Sequence, residues 1–157
     1  MFEKKFFNFL FIFIIFLFDR VSKFFIIKLA DPLGELNISI TSFLNFNLIW
    51  NEGIAFGLFS FVQKVYYNSL TIIISFITLI LVWFMLNSKG LERIGFSMII
   101  GGSLGNIFDR LYYSSVPDFI DFNLNNFHWF IFNVADIFIC LGVILLITLE
   151  IFSKKKI

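Results

Sequence analysis

Charge is what this sequence has least of. Its 157 residues include 12 Lys or Arg and 11 Asp or Glu, 15% of the chain, where a soluble domain carries roughly 25%. A globule of this size has too much surface to cover with so few polar side chains. That argues against a soluble enzyme and for an integral membrane protein. The net charge of +1 supplies no basic stripe for nucleic acid. Cysteine and histidine occur once each, at Cys140 and His128, so the chain makes no internal disulfide and no zinc site from them. No GxxxxGK[ST] loop is present to cradle a nucleotide phosphate. No metal and no organic cofactor is expected.

What fills the space is apolar. Hydrophobic residues make up 59% of the chain, and 26 residues are Phe. A helix needs about 20 mostly apolar residues to cross a bilayer. Residues 66–86 provide such a stretch without a charge. Residues 129–150 provide another, interrupted in its first part by Asn133 and Asp136. A third, 94–112, is uncharged as far as Phe108 and flanked by Glu92-Arg93 and Asp109-Arg110. Phe6–Phe18 is short alone, but the apolar pattern resumes at Phe24–Ile27, so one helix over 6–27 would carry Asp19, Arg20 and Lys23 toward its far end. Lys4 and Lys5 before an apolar run also suit a cleaved signal peptide, yet Asp19-Arg20 stands where a small-x-small cleavage site belongs. The expectation is an all-α membrane protein, one domain over 1–157, with four transmembrane helices.

Basic residues orient it. Lys4, Lys5, Lys89, Arg93, Lys154, Lys155 and Lys156 fall on one side of a four-span plan, against Arg20, Lys23, Lys28, Lys64 and Arg110 on the other. Both termini and the short 87–93 loop are therefore assigned to the cytoplasm, and the segments at 28–64 and 112–128 to the outside. Polar and apolar residues alternate over Leu36–Thr41 and Leu44–Leu48, the period of a half-buried strand. This predicts a small extracytoplasmic β element within 34–62, lying apolar face down on the membrane.

Ionisable groups inside a membrane are costly and usually face a protein interior or a water-filled cavity. In the oriented plan they collect near the outer face. Asp19 and Lys23 are four apart, a spacing that allows an ion pair. Asn106, Asp109 and Arg110 end the third span, and Asn133 and Asp136 begin the fourth on one helix face. Asp118 and Asp121 sit in the loop between. Ser97, Gly101, Gly105 and Asp109 recur at steps of four, a stripe that lets membrane helices pack closely. That packing would place Asp109 inside the bundle, with an interfacial Asp109–Arg110 anchor as the equal alternative. Asp118 and Asp136 form the best chemical pair. Two close carboxylates do not both ionise comfortably, so one keeps a proton while the other acts as a base. The pair can activate water and protonate a leaving amine. The plainer alternative makes Asp118 a solvated loop residue and Asp136 an ion-pair partner.

Other patterns carry less. Gly101-Gly-Ser103-Leu-Gly105 has the letters of a nucleophile elbow, but that motif needs a strand–turn–helix setting, and Ser103 with His128 is a weak serine-protease pair. His128 suits the interface with its aromatic neighbours. Cys140 is expected to fill the core. A non-enzymatic transporter or assembly subunit is disfavoured by the lack of polar groups at the midplane and cytoplasmic side.

Five blocks in order then stand out: Asp19-Arg-Val-Ser-Lys23, Asn51-Glu-Gly-Ile-Ala-Phe-Gly57, Gly101-Gly-Ser-Leu-Gly-Asn-Ile-Phe-Asp-Arg110, Val116-Pro-Asp-Phe119 and Phe132-Asn-Val-Ala-Asp136. Together they closely resemble the motifs of the bacterial signal peptidase II, or lipoprotein signal peptidase, family. The resemblance implies an aspartyl endopeptidase of the inner membrane, acting on diacylglyceryl-modified prolipoproteins and cutting before the lipidated cysteine. It places the catalytic dyad on Asp118 and Asp136. Asp19, Lys23, Asn51, Gly105, Asn106, Asp109, Arg110, Asn133 and Ala135 would shape the site and bind substrate. The implied partners are prolipoproteins and membrane phospholipid, with a monomer sufficient to enclose the site. Two departures are Arg20, where glutamine is usual, and Pro117, which removes a backbone donor and restricts Val116. Asp121→Asn is the expected control for mutation of the dyad.

Overall fold

A computed structural model describes residues 2–30, 34–53, 64–124 and 127–153. Four helices account for most of it: α1 (Phe2–Leu29), α2 (Lys64–Asn87), α3 (Gly90–Tyr113) and α4 (Val134–Ser153). Four strands complete it: β1 (Asn37–Ser39), β2 (Leu44–Asn51), β3 (Val116–Leu124) and β4 (Phe127–Phe132). The strands form one antiparallel sheet in the order β1-β2-β3-β4.

α3 is the central helix and packs against α1, α2 and α4. Its small residues explain how. A Cβ added at Gly101 would lie 2.8 Å from the Ile15 Cβ of α1, and one at Gly102 would lie 2.4 Å from the Ala135 carbonyl oxygen of α4. Two faces of α3 thus meet neighbours at distances that only a missing side chain allows. Two apolar clusters knit the elements together. Ile12, Met85 and Ile100 join α1, α2 and α3, while Ile26, Leu36, Leu48, Phe119 and Val134 tie α1 and α4 to the underside of the sheet.

The usual distribution of polarity is inverted. Asp19, Lys23, Asp109, Asp121 and Asn133 are buried, whereas Ile72, Phe76, Leu79 and Trp83 of α2 point outward. Two helical stretches, Tyr67–Asn87 and Val134–Phe152, are long and apolar enough to cross a bilayer. α1 and α3 have the length, about 42 and 36 Å at 1.5 Å per residue, but carry internal charges.

Three boundaries differ from the sequence-based expectation. The helix expected over 129–150 begins at Val134, because Phe127–Phe132 pairs with β3. A short run rich in aromatic residues, broken by His128, suits a strand as well as a helix, and Asn133 then caps the helix. The 112–128 segment is not a loop: β3 and β4 occupy most of it, and Asp118 and Asp121 both lie in β3. The β element is built from two distant parts of the chain, with β2 of the 34–62 segment pairing to β3. Its portion beyond residue 53 lies outside the described residues. Within the alternating stretches Leu36 and Leu48 are buried, and Ile38 and Ile40 are exposed.

Candidate active site

Two carboxylates and two cations meet between α1 and α3. Asp19 and Lys23 share one face of α1, and Lys23 Nζ lies 2.9 Å from Asp19 Oδ1 and 2.6 Å from Asp109 Oδ2. Arg20 closes the set, with Nη2 2.6 Å from Asp19 Oδ2 and Nη1 on Asp109 Oδ1. Its guanidinium stands 4.8 Å from the Phe108 ring centroid. Buried charges survive only when each is matched, and here two of each sign balance. Asp109 is therefore interior, the outcome the small-residue stripe of α3 favours. The stripe also explains Gly105: a Cβ there would lie 2.6 Å from Asp19 Oδ2.

Asp19 also completes the start of α4, where Ala135 N–H donates to its Oδ1 at 3.0 Å. Asn133 and Asp136 finish that turn reciprocally. Asp136 N–H donates to Asn133 Oδ1 at 3.2 Å, and Asn133 N–H donates to Asp136 Oδ2 at 3.1 Å. This is the capping-box geometry, with Asn at the cap and Asp three residues on. The same asparagine reaches β3, its Nδ2 donating to Asp118 Oδ1 at 2.6 Å. Asn133 thus touches both Asp118 and Asp136. A second amide serves each carboxylate: Asn51 Nδ2 donates to Asp118 Oδ2 at 2.9 Å, and Asn106 Nδ2 donates to Asp136 Oδ1 at 2.8 Å. Arg110 donates to the carbonyl oxygens of Asn106 and Gly53, both at 3.2 Å, joining α3 to the end of β2. The register shift between Phe46 and Ile49 sits beside Asp118, as bulges often do where a strand must aim a functional side chain.

The carboxylates face a cavity of about 510 Å³. Asn51, Asn106, Arg110, Asp118, Asn133 and Asp136 form its polar part; Val116, Phe130, Ile137, Ile139, Cys140 and Leu141 line the rest. Burial pushes the Asp118 carboxyl up to about 6, and the neighbouring Asp136 pushes the same way; hydrogen bonds from Asn51 and Asn133 and the charge of Lys23 oppose them. A carboxyl in that range can hold or release a proton near neutral pH. Among the described residues no group of three or more His, Cys, Asp or Glu could hold a metal ion.

Some sequence expectations change here. Asp118 is a buried strand residue rather than a solvated one, and Asp121 is also buried, so Asp121→Asn is no neutral control. Cys140 is exposed and lines the cavity instead of filling the core; it lies four residues beyond Asp136, on the side of α4 turned to the opening. Ser103 lies within α3, without the strand–turn–helix that an elbow needs; the side chain of His128 lies outside the described structure, as do residues 54–57 of the second block. Pro117 is accommodated where β3 pairs with β2 and β4 does not reach, so its missing N–H breaks no pairing on that side. Gly53, part of the second block but without an expected role, donates its N–H to Asn51 Oδ1 at 2.9 Å. The Asn-x-Gly order of residues 51–53 is the signal, since Asn side chains accept from the backbone two residues on.

Comparisons with known proteins show the family. Residues 11–152 match the family described as Signal peptidase (SPase) II. The lipoprotein signal peptidase of Pelagibacter ubique is 50% identical over 149 residues, 95% of this chain and 90% of that protein. The lipoprotein signal peptidase of Anaplasma phagocytophilum is 35% identical over 140 residues, 88% of this chain and 87% of that one. A bacterial membrane enzyme solved by the in meso method at 2.3 Å resolution superposes with a TM-score of 0.79 at 30% identity, covering 96% of this chain and 91% of its own. On these grounds the chain belongs to the signal peptidase II family of aspartic-type peptidases.

Proposed function

We propose that the chain crosses the bacterial cytoplasmic membrane four times, with both termini in the cytoplasm, and removes signal peptides from diacylglyceryl-modified prolipoproteins by a two-aspartate mechanism. The observation that carries this reading is the position of Asn133, which donates to Asp118 from its side chain and to Asp136 from its backbone. One residue thereby holds both carboxylates at the polar end of an otherwise apolar cavity.

The substrate's signal helix enters from the bilayer and its lipid tails stay there. The backbone before the lipidated cysteine lies in the cavity, fixed by Arg110 and the site amides. Asp118 and Asp136 share one proton. The ionised carboxylate takes a proton from water as the water oxygen attacks the scissile carbonyl carbon. The protonated partner hydrogen-bonds the carbonyl oxygen. The tetrahedral adduct then collapses: the C–N bond breaks, a carboxyl proton passes to the leaving nitrogen, and the cysteine emerges with a free amine. Asp19, Lys23, Gly105, Asp109 and Ala135 support the arrangement from behind. Every group named comes from one chain, so a monomer suffices. The inverted polarity of the fold supports the membrane setting, and phospholipid would surround α2 and α4.

The test is cleavage of a diacylglyceryl-modified peptide by purified protein. Asp118→Asn and Asp136→Asn should each reduce cleavage at least about 10³-fold, beyond the range of lost hydrogen bonding alone, while leaving the protein inserted. Glu92→Gln, at the exposed far end of α3, should cleave normally. Near-wild-type activity in either aspartate variant would sink the dyad.

A further inference from the structure

Three asparagine amides donate to the two carboxylates, and each has its own carbonyl oxygen pinned by an N–H donor. Gly53 N–H pins Asn51, at 2.9 Å, and Asp136 N–H pins Asn133, at 3.2 Å. Lys23 Nζ pins Asn106, at 3.0 Å. An amide turned over would present oxygen where nitrogen now donates, so these contacts decide which face each carboxylate meets. Two of the pins are backbone groups. The third is a side chain from another helix.

We propose that Lys23 is a positioning residue that locks the Asn106 amide, keeping its Nδ2 on Asp136 throughout the reaction. This rests on the dyad reading above. An ionised Asp136 would hold Asn106 this way unaided, since a carboxylate only accepts. The lock matters once Asp136 has taken the proton of water. A protonated carboxyl can donate to an amide oxygen, and an unlocked Asn106 would turn, accept that proton in a hydrogen bond and draw it away from the leaving nitrogen. Lys23 has three donors and no acceptor, so with its ammonium on Asn106 Oδ1 that turn leaves an ammonium facing an NH₂. Asn133 N–H, on the other Asp136 oxygen, is backbone and does not turn. The proton is thus left to the substrate.

The setting of Lys23 suits a lock. It is 1% exposed, and Asp19 and Asp109 hold its remaining donors at 2.9 and 2.6 Å. Those carboxylates are engaged by Arg20 as well, so the ammonium is fixed from behind and presents one donor forward.

A double-mutant cycle on the full-length enzyme separates this role from bundle stability. Lys23→Met and Asn106→Ala should each lower kcat about tenfold or more, from loss of a hydrogen bond at a charged group, with KM changed less than about twofold. The double variant should be no slower than Asn106→Ala alone. Losses that multiply, or a Lys23→Met defect confined to KM, would overturn the proposal. If Lys23→Met does not insert, Lys23→Met with Asp109→Asn restores charge balance around Arg20, and the cycle is run in the Asp109→Asn background. Asp118→Asn and Asp136→Asn run beside it: activity in either removes the dyad, whereas inactive aspartate variants with multiplying losses remove the lock alone.

Discussion

Asparagine, more than aspartate, sets the character of the site. An amide donor to a carboxylate contributes one hydrogen bond and no net charge, so it steers a proton equilibrium without cancelling it. The balance at Asp118 shows this. Burial and Asp136 drive its carboxyl up to about 6, and Asn51 and Asn133 restrain the rise. The sign for activity follows directly. On the proposed dyad, a proton carried by Asp118 is lost as pH rises through about 6, so kcat/KM should fall on the alkaline side as the coupled pair titrates. Asn51→Ala removes a bond that favours the ionised form, and the alkaline limb of the kcat/KM profile should move to higher pH; an unmoved or lowered limb would overturn the assignment. Stability follows the same sign. The native carboxyl binds its proton more tightly than the unfolded one near 3.8, so its contribution is complete below that value and lost as pH rises through about 6.

At the scale of elements, α3 does the positioning. Gly105 admits Asp19 at a distance no side chain permits, and Asp19 in turn caps α4 at Ala135. Gly105→Ala should therefore destabilise by about 1–3 kcal/mol, the range for an overpacked interior, and lower kcat by displacing Asp19 from α4; thermal unfolding and lipopeptide cleavage measure the two effects. A variant unchanged in both would show that Asp19 has room to move. Much of this was legible in the sequence, for a physical reason. Helical spacing is local, so Asp19 with Lys23, the stripe ending at Asp109, and Asn133 with Asp136 can be placed on common faces by counting. What was not legible depends on register between distant segments. Nothing local pairs Asn51 with Asp118, turns Phe127–Phe132 into a strand, or sends Arg20 across to Asp109. Arg20 reads as an unbalanced extra charge until the second carboxylate appears beside it.

Among the described residues the ion cluster around Asp19 and Asp109 is buried while many aromatic and aliphatic side chains of the helices face outward, and the sheet also exposes Ile38, Ile40 and Phe43. On the proposed orientation that sheet lies on the outer surface of the membrane. In a Cys140→Ser background, Ser39→Cys in β1 should react with an impermeant maleimide in intact spheroplasts, and Lys89→Cys between α2 and α3 only after permeabilisation. The reverse pattern would invert the topology. One further consequence concerns biogenesis. The groups around the two carboxylates come from residues 19, 51, 106, 118, 133 and 136, and the first turn of the last helix is finished only when Asp19 reaches it. On the proposed dyad, a nascent chain whose last helix has yet to dock has only one of its two carboxylates in place, so hydrolysis waits on assembly of the bundle.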